Sequence, residues 1–323
     1  MATNQKVKDE TQKISVRVSK SKLEALTKLY NVKTTTELIN KLMNCALDEN
    51  FVAEEKRSVI TGIGGKNKLA NRIIQLMPPH EIYIEPFGNT ASVMVKKAPV
   101  KKEVYNDIEN GVATFFEVLR DNPMALYNSC SAIPYSEELF NRWHNEPLPE
   151  DKLERASRFF FLSRASYLGF TNKYFRSSSQ ETPKRNFAEL YRKECERMWE
   201  ISKRFEHVEI LNSDFRKVLK KYAYNKEAFF LVDPPYYGCR NYYKNEFTWK
   251  DHEDLVKLLQ KVKGKWMVCH DGNEQIKELY TSLGFTYTRI KTKYASSRRK
   301  GEEGAYEKPS TYLYLYNNYG LTE

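Results

Sequence analysis

Residues Ala228-Phe229-Phe230-Leu231-Val232 are apolar at five successive positions, and the run stops at Asp233-Pro234-Pro235-Tyr236. A strand exposes alternate side chains to opposite faces, so a run that is apolar throughout has to be covered on both. That is the situation of a central strand in a parallel sheet, and it predicts an α/β fold. Asp233 then stands at the carboxyl end of the strand, where open α/β sheets bind ligands. Two successive prolines leave the backbone no N–H there, so the Pro234 carbonyl is a fixed acceptor beside the Asp233 carboxylate, with the Tyr236 ring adjacent. Two acceptors and a flat ring suit an exocyclic amino group on a planar base.

Two further strands are legible. Ile82-Tyr83-Ile84 runs into Glu85-Pro86-Phe87-Gly88-Asn89-Thr90-Ala91-Ser92, and Val104-Tyr105 ends in Asn106-Asp107. A small-residue turn after one strand, with a carboxylate about 20 residues later at the tip of the next, is the layout of a doubly wound nucleotide site. The turn lacks a full G-x-G-x-x-G, which disfavours a dinucleotide. Five cysteines (Cys45, Cys130, Cys195, Cys239, Cys269) include no C-x-x-C, and five histidines (His80, His144, His207, His252, His270) show no H-E-x-x-H. Neither a disulfide framework nor a zinc site is expected, and no metal is assigned.

The N-terminus reads differently. Lys13-Ile14-Ser15-Val16-Arg17-Val18 alternates strictly, with Ile14, Val16 and Val18 on one face and Lys13, Ser15 and Arg17 on the other. Leu23, Leu26 and Leu29 follow at helical spacing, and after a break Thr34 and Glu37 form a capping box ahead of Leu38, Ile39 and Leu42. One short strand and two short helices cannot enclose a core, so residues 1–50 are expected to pair with a second copy. A strand paired across a two-fold axis makes a ribbon that fits the DNA major groove, turning Lys13, Ser15 and Arg17 to base edges. In pattern, order and length this segment resembles the ribbon-helix-helix DNA-binding family. The competing reading is an oligomerisation arm or a helical cap. Residues 48–58 are charged and read as a linker.

From about residue 60 to 317 the chain resembles the amino-group DNA methyltransferases, in the adenine-specific Dam-like (D12 class) branch. Asp233-Pro234-Pro235-Tyr236 matches the catalytic motif of that family. Gly64-Gly65-Lys66 with Leu69 and Ile73 is similar to its N-terminal cofactor motif, in which the Lys meets the methionine end of S-adenosyl-L-methionine. Glu85-Pro86-Phe87 resembles its glycine-rich loop, Asn106-Asp107 its ribose-binding acid, and Ser213-Asp214-Phe215 the segment bordering the cofactor adenine. Lys265–Asp271 and Ser310–Asn317 resemble the elements that finish the sheet. The resemblance therefore implies a Rossmann-like methyltransferase sheet over residues 59–119 and 206–323. It assigns catalysis to Asp233, Pro234 and Tyr236, and cofactor binding to Gly65, Lys66, Glu85, Phe87, Gly88, Asn89, Asp107, Asp214, Phe215 and Asp233. Dam-like enzymes commonly carry two glycines after Pro-Phe. Here the loop reads Gly88-Asn89-Thr90-Ala91, so Asn89 takes φ > 0 if it fills a glycine's place, as Asn tolerates.

Residues 120–205 form a mostly helical insert that resembles the family's target-recognition region. Tyr167–Arg176 looks like its DNA-facing loop or hairpin, with Asn172, Lys173 and Arg176 as candidate contacts. Relatives that read GATC carry an Arg shortly after the corresponding Gly; Asn172-Lys173 stands here, so that target is not carried over. Arg298, Arg299 and Lys300 lie between Ile290 and Tyr312 in an expected C-terminal hairpin, and are read either as touching phosphates rather than bases or as an unengaged solvated loop. The 53 Lys and Arg against 42 Asp and Glu leave a net charge of +11, which favours a polyanionic partner. No apolar stretch nears the ~18 residues of a membrane helix and no signal peptide is legible, so a cytoplasmic protein is expected. The function expected is adenine N6 methylation of duplex DNA by a homodimer. Two alternatives stand beside it: a DNA-binding regulator with a weakened methyltransferase scaffold, and a cytosine N4-methyltransferase.

Overall fold

A computed structural model describes residues 34–36, 56–62, 64–167, 169, 174–178, 185–237, 247–292, 299–300, 306–307 and 311–322. The chain divides into a unit Met1–Glu55 and a unit Lys56–Glu323. In the first, Thr35 and Thr36 are helical and exposed, directly after Thr34. The rest of the expected N-terminal module, with Lys13, Ser15 and Arg17, lies outside the described residues.

The second unit is built on a seven-stranded sheet. Its strands are β1 (Ile82–Glu85), β2 (Lys102–Asn106), β3 (Val208–Leu211), β4 (Ala228–Val232), β5 (Lys265–His270), β6 (Thr286–Thr292) and, after a separate pair β7 (Arg299–Lys300) and β8 (Tyr306–Glu307), β9 (Thr311–Asn317). The order across the sheet is β3-β2-β1-β4-β5-β9-β6. The first five strands in that order are parallel, and β9 runs antiparallel between β5 and β6. The expected hairpin after Ile290 is thus the β6–β9 pairing, with Ile290 opposite Leu313. The chain steps outward from β1 to β3 and returns to β4, so strand order reverses between β1 and β4. Their carboxyl ends flank the crevice of a topological switch point.

One face of the sheet is covered by α1 (Ala70–Gln75), α2 (Ser92–Lys96), α3 (Asn110–Asp121), α4 (Pro123–Ala132), α5 (Glu137–Asn145), α6 (Lys152–Ala165), α7 (Phe187–Glu196) and α8 (Met198–Phe205). The other is covered by α9 (Phe215–Tyr222), α10 (Trp249–Leu259) and α11 (Glu274–Thr281). Every residue of β4 is buried, as a run apolar on both faces requires. Phe229 and Leu231 join the first core with Tyr83, Tyr105, Met267 and Cys269. Phe230 and Val232 join the second with Ile84, Val104, Trp266 and Val268. Burying each such side chain contributes roughly 1.5–3 kcal/mol, so the central strand is strongly held in register.

The insert is helical, as its sequence suggests, and packs into the first core. Phe160 stacks on Phe115 at 5.6 Å and Phe205 on Phe116 at 4.6 Å between ring centroids. Ser136, Asp151 and Asn186 cap α5, α6 and α7 by accepting a backbone N–H, each worth about 1 kcal/mol. The base of the expected 167–176 hairpin is present: Ser166 bridges Phe175, and the Tyr167 N–H donates to the Tyr174 carbonyl at 2.9 Å.

The segment leading into Gly64-Gly65-Lys66 is fastened to this insert. The Thr61 N–H donates to Ser163 Oγ at 2.8 Å, and Thr61 Oγ1 to the Ser163 carbonyl at 2.5 Å. Arg197 donates to the Arg57 carbonyl at 2.6 Å, while Arg57 pairs with buried Glu194. Gly169 lies directly on the same segment. Its φ is +100°, and a Cβ there would fall 2.5 Å from the Thr61 carbonyl oxygen and 2.7 Å from Gly62 Cα. Gly169→Ala is therefore expected to lower stability by about 2 kcal/mol, through strain at positive φ and backbone overlap. Urea denaturation should give a lower midpoint at unchanged slope; an unaltered midpoint would contradict this packing.

Candidate active site

Asp233 leaves β4 facing the switch-point crevice, and Lys66 arrives from the loop before α1. The ammonium donates to Asp233 Oδ1 at 2.7 Å, to Oδ2 at 2.5 Å, and to the Gly64 carbonyl at 2.9 Å, which uses all three of its hydrogens. Burial pushes the Asp233 carboxyl up, and the Lys66 charge pulls it back without cancelling the rise. Pro234 is buried, and its carbonyl accepts no hydrogen bond among the described residues. The Tyr236 ring lies 5.2 Å from the Lys66 nitrogen and 4.7 Å from the His270 ring.

Across the crevice, β1 delivers Glu85, only 4% exposed, whose carboxyl accepts from Tyr83 Oη at 2.6 Å. Burial pushes that carboxyl up to about 8, so it carries a proton at neutral pH. The loop that follows turns twice through the left-handed region, at Asn89 (φ 44°) and Ala91 (φ 54°). Asn89 adopts the glycine-like backbone expected of it. Ala91 does so as well, which its small size alone did not foretell; an L-residue there costs about 1 kcal/mol or more. The turn is held from below. The Gly88 N–H donates to the Asn106 carbonyl at 2.7 Å, and Tyr105 Oη donates to the Asn89 carbonyl at 2.6 Å. A Cβ on Gly88 would lie 2.1 Å from the Tyr105 ring, so this position admits no side chain while the ring stays in place.

Asp107, at the tip of β2, accepts the Asn89 N–H on one oxygen and the Glu109 N–H on the other, each at 2.8 Å. Each oxygen keeps a lone pair, and burial raises the carboxyl to about 6. Its neighbour Asn106 is fully buried. That side chain donates to the carbonyls of Pro86 (2.8 Å) and Ser213 (2.9 Å) and accepts the Ser213 N–H at 3.0 Å. One amide thereby joins the loops after β1, β2 and β3. Asp214 caps α9 through the Arg216 N–H at 2.8 Å and pairs with the Arg216 guanidinium at 3.1 Å. Phe215 packs with Phe87 at 5.2 Å and Phe247 at 5.5 Å between centroids, and Phe87 meets Phe247 edge-on at 5.7 Å, giving an aromatic cluster beside the loop.

Gly65, Lys66, Glu85, Phe87, Gly88, Asn89 and Asp233 line one open cleft. Seven residues read from the sequence as cofactor-binding thus come together. Thr90, Ser92 and Cys269 line it too, without having been singled out for that role. Asp107 touches the lining through Asn89, whereas Asp214, Phe215, Pro234 and Tyr236 stand outside it. Of the candidate DNA contacts, Asn172, Lys173 and Arg298 lie outside the described residues. Arg176 is half-buried with its guanidinium 4.6 Å from the Phe187 ring, and Arg299 and Lys300 pair with Glu307 and Tyr306 in the short β7–β8 ladder. Among the described residues no group of three or more His, Cys, Asp and Glu could hold a metal, and no helix is long and apolar enough to cross a membrane.

The Glu85 proton has a measurable consequence. Its ordinary value is 4.5 and its folded value about 8. Between these the folded chain keeps a proton that the unfolded chain has released, so stability falls as pH rises through that window. Glu85→Gln cannot titrate and escapes this loss. The unfolding free energy of the variant minus that of the wild type should rise between about pH 5 and about pH 8 in urea melts; a flat difference would mean that Glu85 titrates as an exposed acid.

The chain's similarity to known proteins agrees with this site. Residues 63–296 match the family of D12 class N6 adenine-specific DNA methyltransferases. A DNA N-6-adenine-methyltransferase of Escherichia phage P1 is 26% identical over 254 residues, which are 72% of this chain and 32% of that protein. The type II methyltransferase M.CviBI of Paramecium bursaria Chlorella virus NC1A is 23% identical over 270 residues, 81% of this chain and 99% of that one. The chain thus spans about a third of the phage protein and nearly the whole of the Chlorella virus protein. A precorrin 8w decarboxylase of Methanobacterium thermoautotrophicum aligns at 11% identity with a TM-score of 0.31 over 78% of this chain and 89% of that one, a likeness on which no argument rests. With the family match covering most of its length and the Asp-Pro-Pro-Tyr strand end beside a nucleotide-type crevice, the chain belongs to the D12 class N6 adenine-specific DNA methyltransferases.

Proposed function

We propose that the chain transfers the methyl group of S-adenosyl-L-methionine to the N6 of an adenine turned out of duplex DNA. The observation that carries this reading is the meeting of Asp233 and Lys66 with the Glu85–Asn89 loop in one cleft at the switch point.

The residues fit such a cofactor. Asp107 keeps a lone pair on each oxygen for ribose hydroxyls, and the Phe87–Phe215–Phe247 cluster beside the loop is apolar, as an adenine ring requires. A Cβ on Gly65 would come within 3.1 Å of Thr90 Oγ1, so the cleft floor is closely packed. Once bound, S-adenosyl-L-methionine supplies an electrophilic methyl on a sulfonium sulfur. The chain's own task is to make a poor nucleophile attack it. The N6 lone pair of adenine is delocalised into the ring, and hydrogen bonds from its two protons to the Asp233 carboxylate and the Pro234 carbonyl favour a pyramidal nitrogen with that pair freed. The Pro234 carbonyl, unengaged among the described residues, is available for this. Asp233, whose carboxyl is raised by burial, would be the acceptor at hand for the proton that the amino nitrogen must lose on methylation. Lys66 holds Asp233 ionised and aligned until the amino group arrives. Tyr236 offers the stacking face for the extruded base.

We also assign target recognition to residues 120–205, with the hairpin carrying Asn172, Lys173 and Arg176 against DNA and Arg298, Arg299 and Lys300 on phosphates. Residues 1–50 are assigned to a ribbon-helix-helix module that makes the protein a homodimer and adds DNA contacts through Lys13, Ser15 and Arg17.

Asp233→Ala is expected to lose methylation of unmethylated genomic DNA with labelled cofactor while still binding duplex; parallel loss of both would point to misfolding. Nucleoside analysis of the product should give N6-methyladenine, and N4-methylcytosine would favour the alternative amino-group chemistry. Deleting residues 1–50 should turn a sedimenting dimer into a monomer and weaken duplex affinity. An unchanged sedimentation profile would refute the dimer.

A further inference from the structure

We propose that His270 is the positioning residue of the Asp233–Tyr236 loop, acting through the Tyr237 amide and the Tyr236 ring; this rests on the reading of Asp233 and Pro234 as the acceptors of the target amino group. The prolines create the need. Pro234 and Pro235 have no N–H, so the loop cannot be tied to the sheet by its own amides until Tyr236 and Tyr237. The Tyr237 N–H donates to His270 Nε2 at 3.2 Å. His270 is the last residue of β5, whose register against β4 sets Val268 beside Val232, so its imidazole reaches the loop from a fixed strand end. It is fully buried, and its ring packs on Tyr236 at 4.7 Å and 31°.

For Nε2 to accept, the ring proton sits on Nδ1, and that nitrogen lies 2.7 Å from an Asp271 carboxylate oxygen. Acceptance at Nε2 thus defines the tautomer, with the ring proton on Nδ1, which also lies 3.4 Å from the Asp271 carbonyl oxygen. Behind it, His252 packs at 5.4 Å from His270 and 5.9 Å from Tyr237. Both His252 nitrogens are buried without a hydrogen-bond partner among the described residues, and burial lowers the ring to about 3, so it stays uncharged and adds an apolar wall. One imidazole therefore fixes the loop twice, once by an acceptor and once by a face. A shift of the Pro234 carbonyl by about 1 Å is enough to cost roughly 100-fold in rate where catalysis depends on alignment.

The test is methyl transfer to unmethylated genomic DNA by the full chain, with calorimetric binding of S-adenosyl-L-methionine and thermal unfolding alongside. His270→Phe keeps a ring but no acceptor and should lower kcat about 10- to 100-fold, with cofactor affinity changed less than about threefold. His270→Gln offers an amide oxygen near the Nε2 position and should recover kcat to within about fivefold of wild type. A folded His270→Phe with kcat within about threefold of wild type would overturn the proposal, as would a folded His270→Gln no faster than His270→Phe. If His270→Phe does not fold, Asp271→Ala decides: a loss of kcat at unchanged cofactor affinity supports the role, and an unchanged kcat refutes it. Asp233→Ala is run in parallel. Inactivity there with active His270 variants sinks only the positioning role, whereas methylation surviving in Asp233→Ala sinks the reading beneath it.

Discussion

A carboxylate at the buried end of a central strand needs a fixed cation, and the Lys66–Asp233 pair is the interaction around which the cleft is arranged. Withdrawing each ion from water costs several kcal/mol, so such a pair persists only with good geometry and its remaining hydrogens satisfied. Lys66 meets that condition by donating to both Asp233 oxygens and to the Gly64 carbonyl. Its position in turn depends on the 57–62 segment. Thr61 is bonded to Ser163 in α6, Arg57 to Glu194 and Arg197, and Gly169 lies against the Thr61–Gly62 backbone. The segment that leads to this ammonium is thus fastened to the same insert that carries the proposed recognition hairpin.

A second constraint acts from the opposite wall. The loop after β1 has no helix cap or ladder of its own and spends two residues in the left-handed region. What keeps it there is Asn106, whose one side chain satisfies two carbonyls and one amide from different loops, together with Tyr105 under Gly88 and Asp107 under Asn89. β2 therefore shapes the loop as well as supplying the acid beside it. Loss of the Asn106 amide would take these partners from three backbone groups, the buried Pro86 carbonyl and the half-buried Ser213 carbonyl and N–H, a larger penalty than one hydrogen bond contributes.

The parts of this fold that could be read in the sequence are those with a local signature. The double-sided burial of 228–232, the strands entering Glu85 and Asp107, and the alternation of Thr311–Asn317 follow from periodicity within a few residues. The lining of the cleft by Gly65, Lys66, Glu85, Phe87, Gly88, Asn89 and Asp233 was legible through family resemblance, which compresses long-range geometry into motif order. The rest depends on partners that no window contains. Asn106 meets Ser213 across 107 positions, and Thr61 meets Ser163 across 102. Ala91 reads as an ordinary small residue, and its positive φ arises only because the loop is clamped on both sides. His270 looked like one of five scattered histidines; the prolines of the Asp-Pro-Pro-Tyr run, which strip that loop of amides, were the one available hint that something outside it must hold it.

The electrostatics of the cleft follow from the same burial. Lys66 and Asp233 neutralise each other, and Glu85 keeps its proton near neutral pH. The cleft is thus close to uncharged, with one latent negative charge on Glu85. A positive group beside Glu85 would favour its ionised form and oppose the effect of burial. Asp107, raised to about 6, lies closer to its ionised state and can meet neutral hydroxyls without such help. The two acids that flank the positive-φ loop therefore differ in how firmly they hold a proton, Glu85 more firmly than Asp107.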